Sequence, residues 1–199
     1  MSFVKSCLRN CKNLLLRRYE YLPSFKKRFA LFGKNACIHH PALITEHENI
    51  SIGENSVILG NSRIQIYNAL TGGKAKVAIG SNCYFGFHLS ILAGGSISIG
   101  NDVLIASHVL ITSENHGMNP EREVSYMNQP LECKDVFIGD GCWIGEKVSI
   151  MPGVSIGKKC IIGANSVVTK SIPDYSIAAG IPARVIKTYN FETHRWERV

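Results

Sequence analysis

The side chains of this 199-residue chain best suited to proton transfer, nucleophilic attack or metal binding are seven histidines and seven cysteines. One histidine has a setting of its own. His116 lies in Thr112-Ser-Glu-Asn-His-Gly-Met-Asn-Pro120, inside a stretch (112–137) where the pattern described below lapses, and excursions of that length in a compact domain are commonly functional. A neutral imidazole, with a pKa of about 6.5, can accept the proton of an attacking hydroxyl near neutral pH. Glu114 and Ser113 are the neighbours that could orient its ring, and Glu114 and Asn115 are candidates to touch a substrate. The bland reading, a histidine that caps a loop turn, leaves its seat beside Gly117 in the longest excursion unexplained.

The other histidines make no obvious ligand set. His39 and His40 adjoin, whereas His88 and His108 have no close partner in sequence, so surface histidines and no metal are expected. The cysteines (Cys7, Cys11, Cys37, Cys83, Cys133, Cys142, Cys160) are odd in number and include no C-x-x-C pair. That argues against a disulfide framework or zinc ribbon and for a reducing cytoplasm. A nucleophilic Cys142 would need a depressed pKa, and nothing adjacent in sequence lowers it, so a packing role is expected. Trp143, beside it, is either a packing group or a flat wall against which a sugar ring can stack.

These residues hang on a repeat. From Ile138 through Ile144, Ile150, Ile156, Ile162 and Val168, a large aliphatic residue occupies every sixth position. The same spacing runs through Ile99, Ile105 and Ile111, through Ile79, Phe85 and Ile91, through Ile52, Ile58 and Ile64, and through Ile38, Ile44 and Ile50. Ile-Gly recurs seven times. Six matches neither the 3.6-residue period of a helix nor the alternation of a strand. It matches a short extended segment and a turn, repeated, with the aliphatic residue inward. The glycine after it is expected where the backbone turns, because glycine tolerates positive φ. Stacked turns bury one continuous apolar column. The expected fold is an all-β solenoid over 35–172, broken near 65–78, 92–98 and 112–137, with a segment 1–34 before it and a cap and tail, 173–199, after it.

Composition suits that fold, with 45% hydrophobic and 19% charged residues. No apolar run is long enough for a membrane span or a signal peptide. The net charge of +7 is concentrated at one end. Residues 1–34 hold nine Lys or Arg against one acidic residue, Glu20, whereas the other 165 residues hold thirteen against fourteen. The main body is therefore no polyanion binder, and nucleic acid is not an expected partner.

Four runs carry a resemblance: Gly141-Cys-Trp-Ile-Gly-Glu, Met151-Pro-Gly-Val-Ser-Ile-Gly, Ile162-Gly-Ala-Asn-Ser-Val-Val-Thr-Lys and Ala178-Ala-Gly-Ile-Pro-Ala-Arg-Val-Ile-Lys. The chain resembles, over about 35–187, the hexapeptide-repeat acyltransferases, above all the O-acetyltransferases of bacterial surface polysaccharides and the galactoside and maltose acetyltransferases. The resemblance implies a left-handed parallel β-helix with three six-residue faces per coil, although parallel crossovers elsewhere are right-handed in about 98% of cases. It implies an acetyl-CoA-dependent O-acetyltransferase acting on a carbohydrate hydroxyl, in O-antigen, capsule or exopolysaccharide biosynthesis, by direct transfer. His116 matches the catalytic base, at the start of a protruding loop. Trp143 falls near the acetyl end of the donor, and Ala164, Thr169, Lys170 and Lys187 line the donor site.

A homotrimer, with each site between two subunits, is implied as well. The demands of coenzyme A point to the same residues. Its thin amide arm suits a groove along Gly145, Gly163 and Ala164, and its phosphates suit Lys170, Arg184 and Lys187. Glu146 departs from the small residue often found at its position. The family's carbonic anhydrase relatives bind zinc with three histidines, two of them about five residues apart, a pair missing here. The competing readings are N-acetylation of an amino-sugar nucleotide and a non-catalytic binding scaffold.

In the basic segment, Val4, Leu8, Cys11, Leu15, Tyr19 and Leu22 recur at helical steps and Pro23 ends the stripe. Ser24, Phe25, Phe29, Phe32 and Gly33 read as a second short helix with a cap at each end. Two roles are open for this segment: a lid over the first coil, which would otherwise present unpaired backbone groups, and a peripheral contact with the inner face of the cytoplasmic membrane, beside lipid-linked acceptors.

Overall fold

The inward aliphatic side chains draw the chain into a left-handed parallel β-helix of triangular section. The structure, a computed structural model, describes residues 23–199. The helix expected over residues 4–22 lies outside them. Short strands pass in turn to three sheets. The first stacks Leu31–Phe32, Ile50–Ile52, Val77–Ile79, Ile97–Ile99, Val136–Ile138 and Ser155–Ile156. The second stacks Cys37–Ile38, Val57–Ile58, Tyr84–Phe85, Leu104–Ile105, Trp143–Ile144, Ile161–Ile162 and Ser176–Gly180. The third stacks Leu43–Ile44, Arg63–Ile66, Ser90–Ala93, Leu110–Thr112, Ser149–Ile150 and Val167–Val168. Each coil has a first corner between sheets one and two, a second between two and three, and a third between three and one.

The hexad buries two residues, not one. Besides the isoleucine, the residue two before it points inward, as Cys83, Leu89, Val103, Val109, Cys142, Val148, Val154 and Cys160 do, all 1% exposed or less. The reason given above for the repeated glycine needs correction. Gly53, Gly80, Gly100, Gly139, Gly145, Gly157 and Gly163 do not have positive φ. The left-handed residue stands two positions later, at Asn55, Asn82, Asp102, Gly141, Lys147, Lys159 and Asn165, with φ of 55–66°.

What excludes a side chain from the glycine positions is the next coil. A Cβ on Gly53 would lie 2.5 Å from the carbonyl carbon of Gly80, and one on Gly139 would lie 2.7 Å from the backbone nitrogen of Lys158. At the first corner the left-handed residues also bond to one another. Asn35 Nδ2 donates to Asn55 Oδ1 at 3.0 Å, Asn55 Nδ2 to Asn82 Oδ1 at 3.1 Å, and Asn82 Nδ2 to Asp102 Oδ1 at 3.2 Å. Asparagine accepts the left-handed conformation at little cost and carries both donor and acceptor, so it can ladder.

The N-terminal end differs from the expectation. The helix expected over 24–33 is a single turn, Pro23–Lys26, and Leu31–Phe32 already pairs with Ser51 and Ile52 as the first rung of a sheet. Phe25 and Phe29 are buried and meet His47 edge-on, at centroid distances of 5.7 and 5.0 Å. Burial, and then the charge of Arg28, push His47 below the ordinary imidazole range, as suits a neutral ring in an aromatic plug. At the other end Ser176–Gly180 continues the second sheet in parallel, and Ala183–Asn190 and Arg195–Arg198 close it antiparallel. Short segments of this kind, lacking the Ile-Gly signature, are hard to assign from spacing.

The two explanations of the glycines predict opposite results. Gly53→Ala should destabilise by about 1–3 kcal/mol through forced overpacking. Lys159→Gly, which replaces an L-residue in the left-handed region, should be neutral or slightly stabilising. Urea unfolding of the two variants decides, and an intact Gly53→Ala protein would sink the close-approach account.

Candidate functional site

All three interruptions of the repeat leave from the third corner. The first carries the helix Asn68–Thr71, the second is the brief Gly94-Gly95 detour, and the third is the long excursion that begins after Thr112. The last opens as a hairpin in which Glu114 pairs with Cys133 and Asn115 with Glu132. Beyond it His116 is exposed and Gly117 buried. A Cβ on Gly117 would lie 2.8 Å from Gln129 Cβ and 2.9 Å from the Pro130 oxygen, so the two arms of the loop cross here at backbone distance.

Gln129, 5% exposed, clasps the loop. Its Oε1 accepts from the Asn119 nitrogen at 3.0 Å, and its Nε2 donates to the Asn119 oxygen at 2.9 Å. Reading the sequence missed this residue, since a lone glutamine in a loop looks solvent-facing. The clasp holds together the two arms of the loop that carries His116. The His116 ring itself makes no hydrogen bond among the described residues, so both ring nitrogens are free for a substrate.

The two candidates for orienting that ring separate cleanly. Ser113 is fully buried, and its hydroxyl donates to the Gly95 oxygen at 2.7 Å and accepts from the Gly95 nitrogen at 3.2 Å. It braces the coil beneath and cannot serve His116. Glu114 is half-buried, with its backbone tied to Thr112 Oγ1. Gly94 lets it settle onto that coil, because a Cβ on Gly94 would lie 2.7 Å from Glu114 Cβ and 2.6 Å from Cys133 Sγ.

The remaining candidates fall elsewhere on the prism. Gly145 and Ala164 share the second corner on successive coils, so close that a Cβ on Gly145 would lie 2.6 Å from the Ala164 nitrogen. Glu146 bridges coils there, accepting from the Ser107 nitrogen at 3.0 Å, which accounts for a carboxylate at a position where a small residue suffices elsewhere. Arg184 pairs with Ala179 at the top of this corner and is exposed. Trp143 stands outward on the second sheet, 51% exposed, and so is no core residue. Its row runs in register through Leu104, Ile161 and Ile177 to Lys187. Thr169 and Lys170 are exposed at the third corner, above the loop. A single prism thus collects the small-residue groove and Trp143 around the second sheet and corner, and His116 at the third corner, with the third sheet between them.

Neither cysteine nucleophile nor metal cluster emerges among the described residues. Cys142 is buried, its Sγ donates to the Gly157 oxygen at 3.0 Å, and a hydrogen bond shared with Cys160, with burial, pushes its pKa up. Stacked rings of His88 and His108, 4.6 Å apart at the second corner, occupy successive left-handed positions rather than a metal's ligand sphere. No helix among the described residues is long and apolar enough to cross a membrane.

Comparison with known proteins matches residues 135–170 to the model described as bacterial transferase hexapeptide (six repeats), and residues 76–113 to the hexapeptide repeat of succinyl-transferase. WbbJ of Escherichia coli, named for O-acetyl transfer in lipopolysaccharide biosynthesis, is 37% identical over 167 residues, covering 81% of this chain and 83% of its own. The galactoside O-acetyltransferase of Escherichia coli is 33% identical over 165 residues, covering 83% of this chain and 66% of its own. Among solved structures, a variant of the N-acyltransferase AntD of Bacillus cereus, in complex with dTDP and coenzyme A, superposes with a TM-score of 0.71 at 25% identity, over 87% of this chain and 92% of that one.

Proposed function

The chain belongs to the hexapeptide-repeat acyltransferases, and on that premise we propose that it transfers an acetyl group from acetyl-CoA to a carbohydrate hydroxyl in surface-polysaccharide biosynthesis. The observation that carries the reading is the unpartnered, exposed imidazole of His116, held at the start of a clasped loop, in a chain 37% identical to a protein named for O-acetyl transfer. His116 takes the acceptor proton as the hydroxyl oxygen attacks the thioester carbonyl. A C–O bond forms, the C–S bond breaks, and the imidazolium returns the proton to the departing thiolate. Transfer is direct, since Cys142 is buried and protonated. The likeness to AntD supports the alternative, transfer to the amine of a nucleotide sugar.

The donor fits the second corner. Ala164, exposed above the buried Gly145, offers its backbone to the amide-bearing arm, Arg184 and Lys187 supply cations for the phosphates from the same prism, and Lys170, at the third corner, supplies one from a neighbouring prism. One prism keeps this groove apart from its own His116, so a second prism is needed to complete the site, and a cyclic homotrimer closes that arrangement with equivalent sites. Trp143 then forms the wall near the acetyl group. The basic segment 1–34 and its apolar stripe suit peripheral contact with an anionic membrane, where acceptors are lipid-linked.

His116→Ala should lower kcat by about 10²- to 10⁴-fold with the melting temperature and acetyl-CoA affinity retained. A variant keeping more than about a tenth of wild-type turnover would remove His116 as the base. Product chemistry separates the two transfer readings, because an O-acetyl ester is released by mild alkali and an amide survives it.

Charge reversal at Lys170 or Lys187 should weaken coenzyme A binding more than binding of its 3′-dephospho form. Equal losses in calorimetry would show that these lysines only face solvent.

The full chain should sediment with vesicles containing anionic lipid more than with neutral ones, and removal of residues 1–22 should abolish the difference. Identical weak binding by both forms would leave residues 1–34 the lid role alone.

A further inference from the structure

A second aromatic residue, outside the repeat, shares the base of the His116 loop. Tyr67 follows the strand Arg63–Ile66, whose Gln65 and Ile66 pair with Leu92 and Ala93. Leu92 pairs in turn with Thr112. Continued by two residues, this register stacks Tyr67, Gly94 and Glu114 on three successive coils at the third corner. The central member has no side chain, so Glu114 packs down over Gly94 toward Tyr67. The charge of Glu114 reaches the phenol. Burial first, and Glu114 second, raise the Tyr67 pKa above its ordinary value, with Arg63 opposing. The phenol therefore stays protonated, as a donor.

Both groups are half-buried, and neither the Tyr67 hydroxyl nor the Glu114 carboxylate makes a hydrogen bond among the described residues. A donor and an acceptor thus share this corner, both open to a ligand from solvent. Arg63, the cation that opposes this shift, donates to Ser90 Oγ at 3.1 Å. A sugar suits such a pair, since vicinal hydroxyls donate together to one carboxylate while an aromatic residue offers a flat face and a donating hydroxyl. Glu114 stands two residues before His116, so a sugar held there would lie at the foot of the catalytic loop.

We infer that Tyr67 and Glu114 form the acceptor subsite, the Glu114 carboxylate accepting from two adjacent sugar hydroxyls and the Tyr67 hydroxyl donating to a sugar oxygen, so that a neighbouring hydroxyl is presented to His116. This rests on the transferase reading above and assigns part of its acceptor specificity to the first interruption of the repeat. Acceptors lacking one of the paired hydroxyls, as in a deoxy sugar, are disfavoured.

The test uses the full chain with methyl glycosides of galactose, glucose and mannose, and with their singly deoxygenated forms. Glu114→Gln should raise the glycoside KM about tenfold and Tyr67→Phe about three- to tenfold, with the KM for acetyl-CoA and the melting temperature unchanged. The double variant should lose less than the product of the two, because both hold one ligand. Spectrophotometric titration, with Tyr67→Phe as the blank, should show a lower phenol midpoint in Glu114→Gln. Transfer that persists with an unchanged glycoside KM in both single variants overturns the subsite and leaves the transferase reading intact. If no glycoside is acetylated, calorimetric binding of the same glycosides decides. Binding lost in both variants keeps the subsite and overturns the transferase reading, whereas absent or unaltered binding overturns the subsite.

Discussion

The coils of this protein can stack only if backbone meets backbone at the corners. Strand pairing sets one coil close upon the next, and at a corner the polypeptide of one turn must pass directly over that of its neighbour. Positions such as Gly33, Gly53 and Gly80 are where that passage is tightest. Once they are small, the sheet hydrogen bonds, the inward isoleucine column and the asparagine ladder follow with no further adjustment. The left-handed residues that turn the chain are a separate requirement, met by Asn, Asp, His, Lys or Gly two positions later.

A frame of this kind tolerates change in few places. A substitution within a hexad alters the contacts of two coils at once, whereas an insertion at a corner leaves the stacked strands in register. The third corner has taken all three insertions, and they converge because they lie above one another. Tyr67, Gly94 and Glu114 come from three different coils yet share one edge, and the His116 loop springs from the same point. The second corner has instead kept its regular path, which leaves a track of small residues, Gly145 and Ala164, along the prism edge. The His116 loop and the small-residue track therefore have different structural origins: excursion on one corner, regularity on another.

The buried thiols illustrate how the frame disposes of reactive groups. Cys83, Cys142 and Cys160 occupy the smaller of the two inward positions of their hexads, and their sulfurs donate to carbonyls of neighbouring coils. A cysteine there is a small apolar residue with a weak donor. Ser56 and Ser62 fill the equivalent positions in earlier coils, likewise bonding to backbone oxygens. The same logic takes Ser113 out of the active-site account, since a hydroxyl turned inward to Gly95 cannot also face His116.

Periodicity alone was enough to determine the solenoid, its inward isoleucines, the places where it breaks and the histidine stranded in the longest break. Each depends on residues close in the chain, and a six-residue step is a local property. Handedness was not legible in the spacing, because the same hexads could wind either way, and it came from the resemblance. The role of the glycines was misread for a related reason: a close approach between Gly53 and Gly80 is set by the coil above and leaves no trace in the local sequence. Tertiary structure alone decided that Ser113 is structural, that Gln129 clasps the loop, that Trp143 faces outward in line with Lys187, and that Tyr67 and Glu114 share one corner across 47 residues of sequence. Those facts depend on which coils are neighbours and on the lengths of the insertions between them. Stacking converts those lengths into proximity, and only the folded chain carries that information.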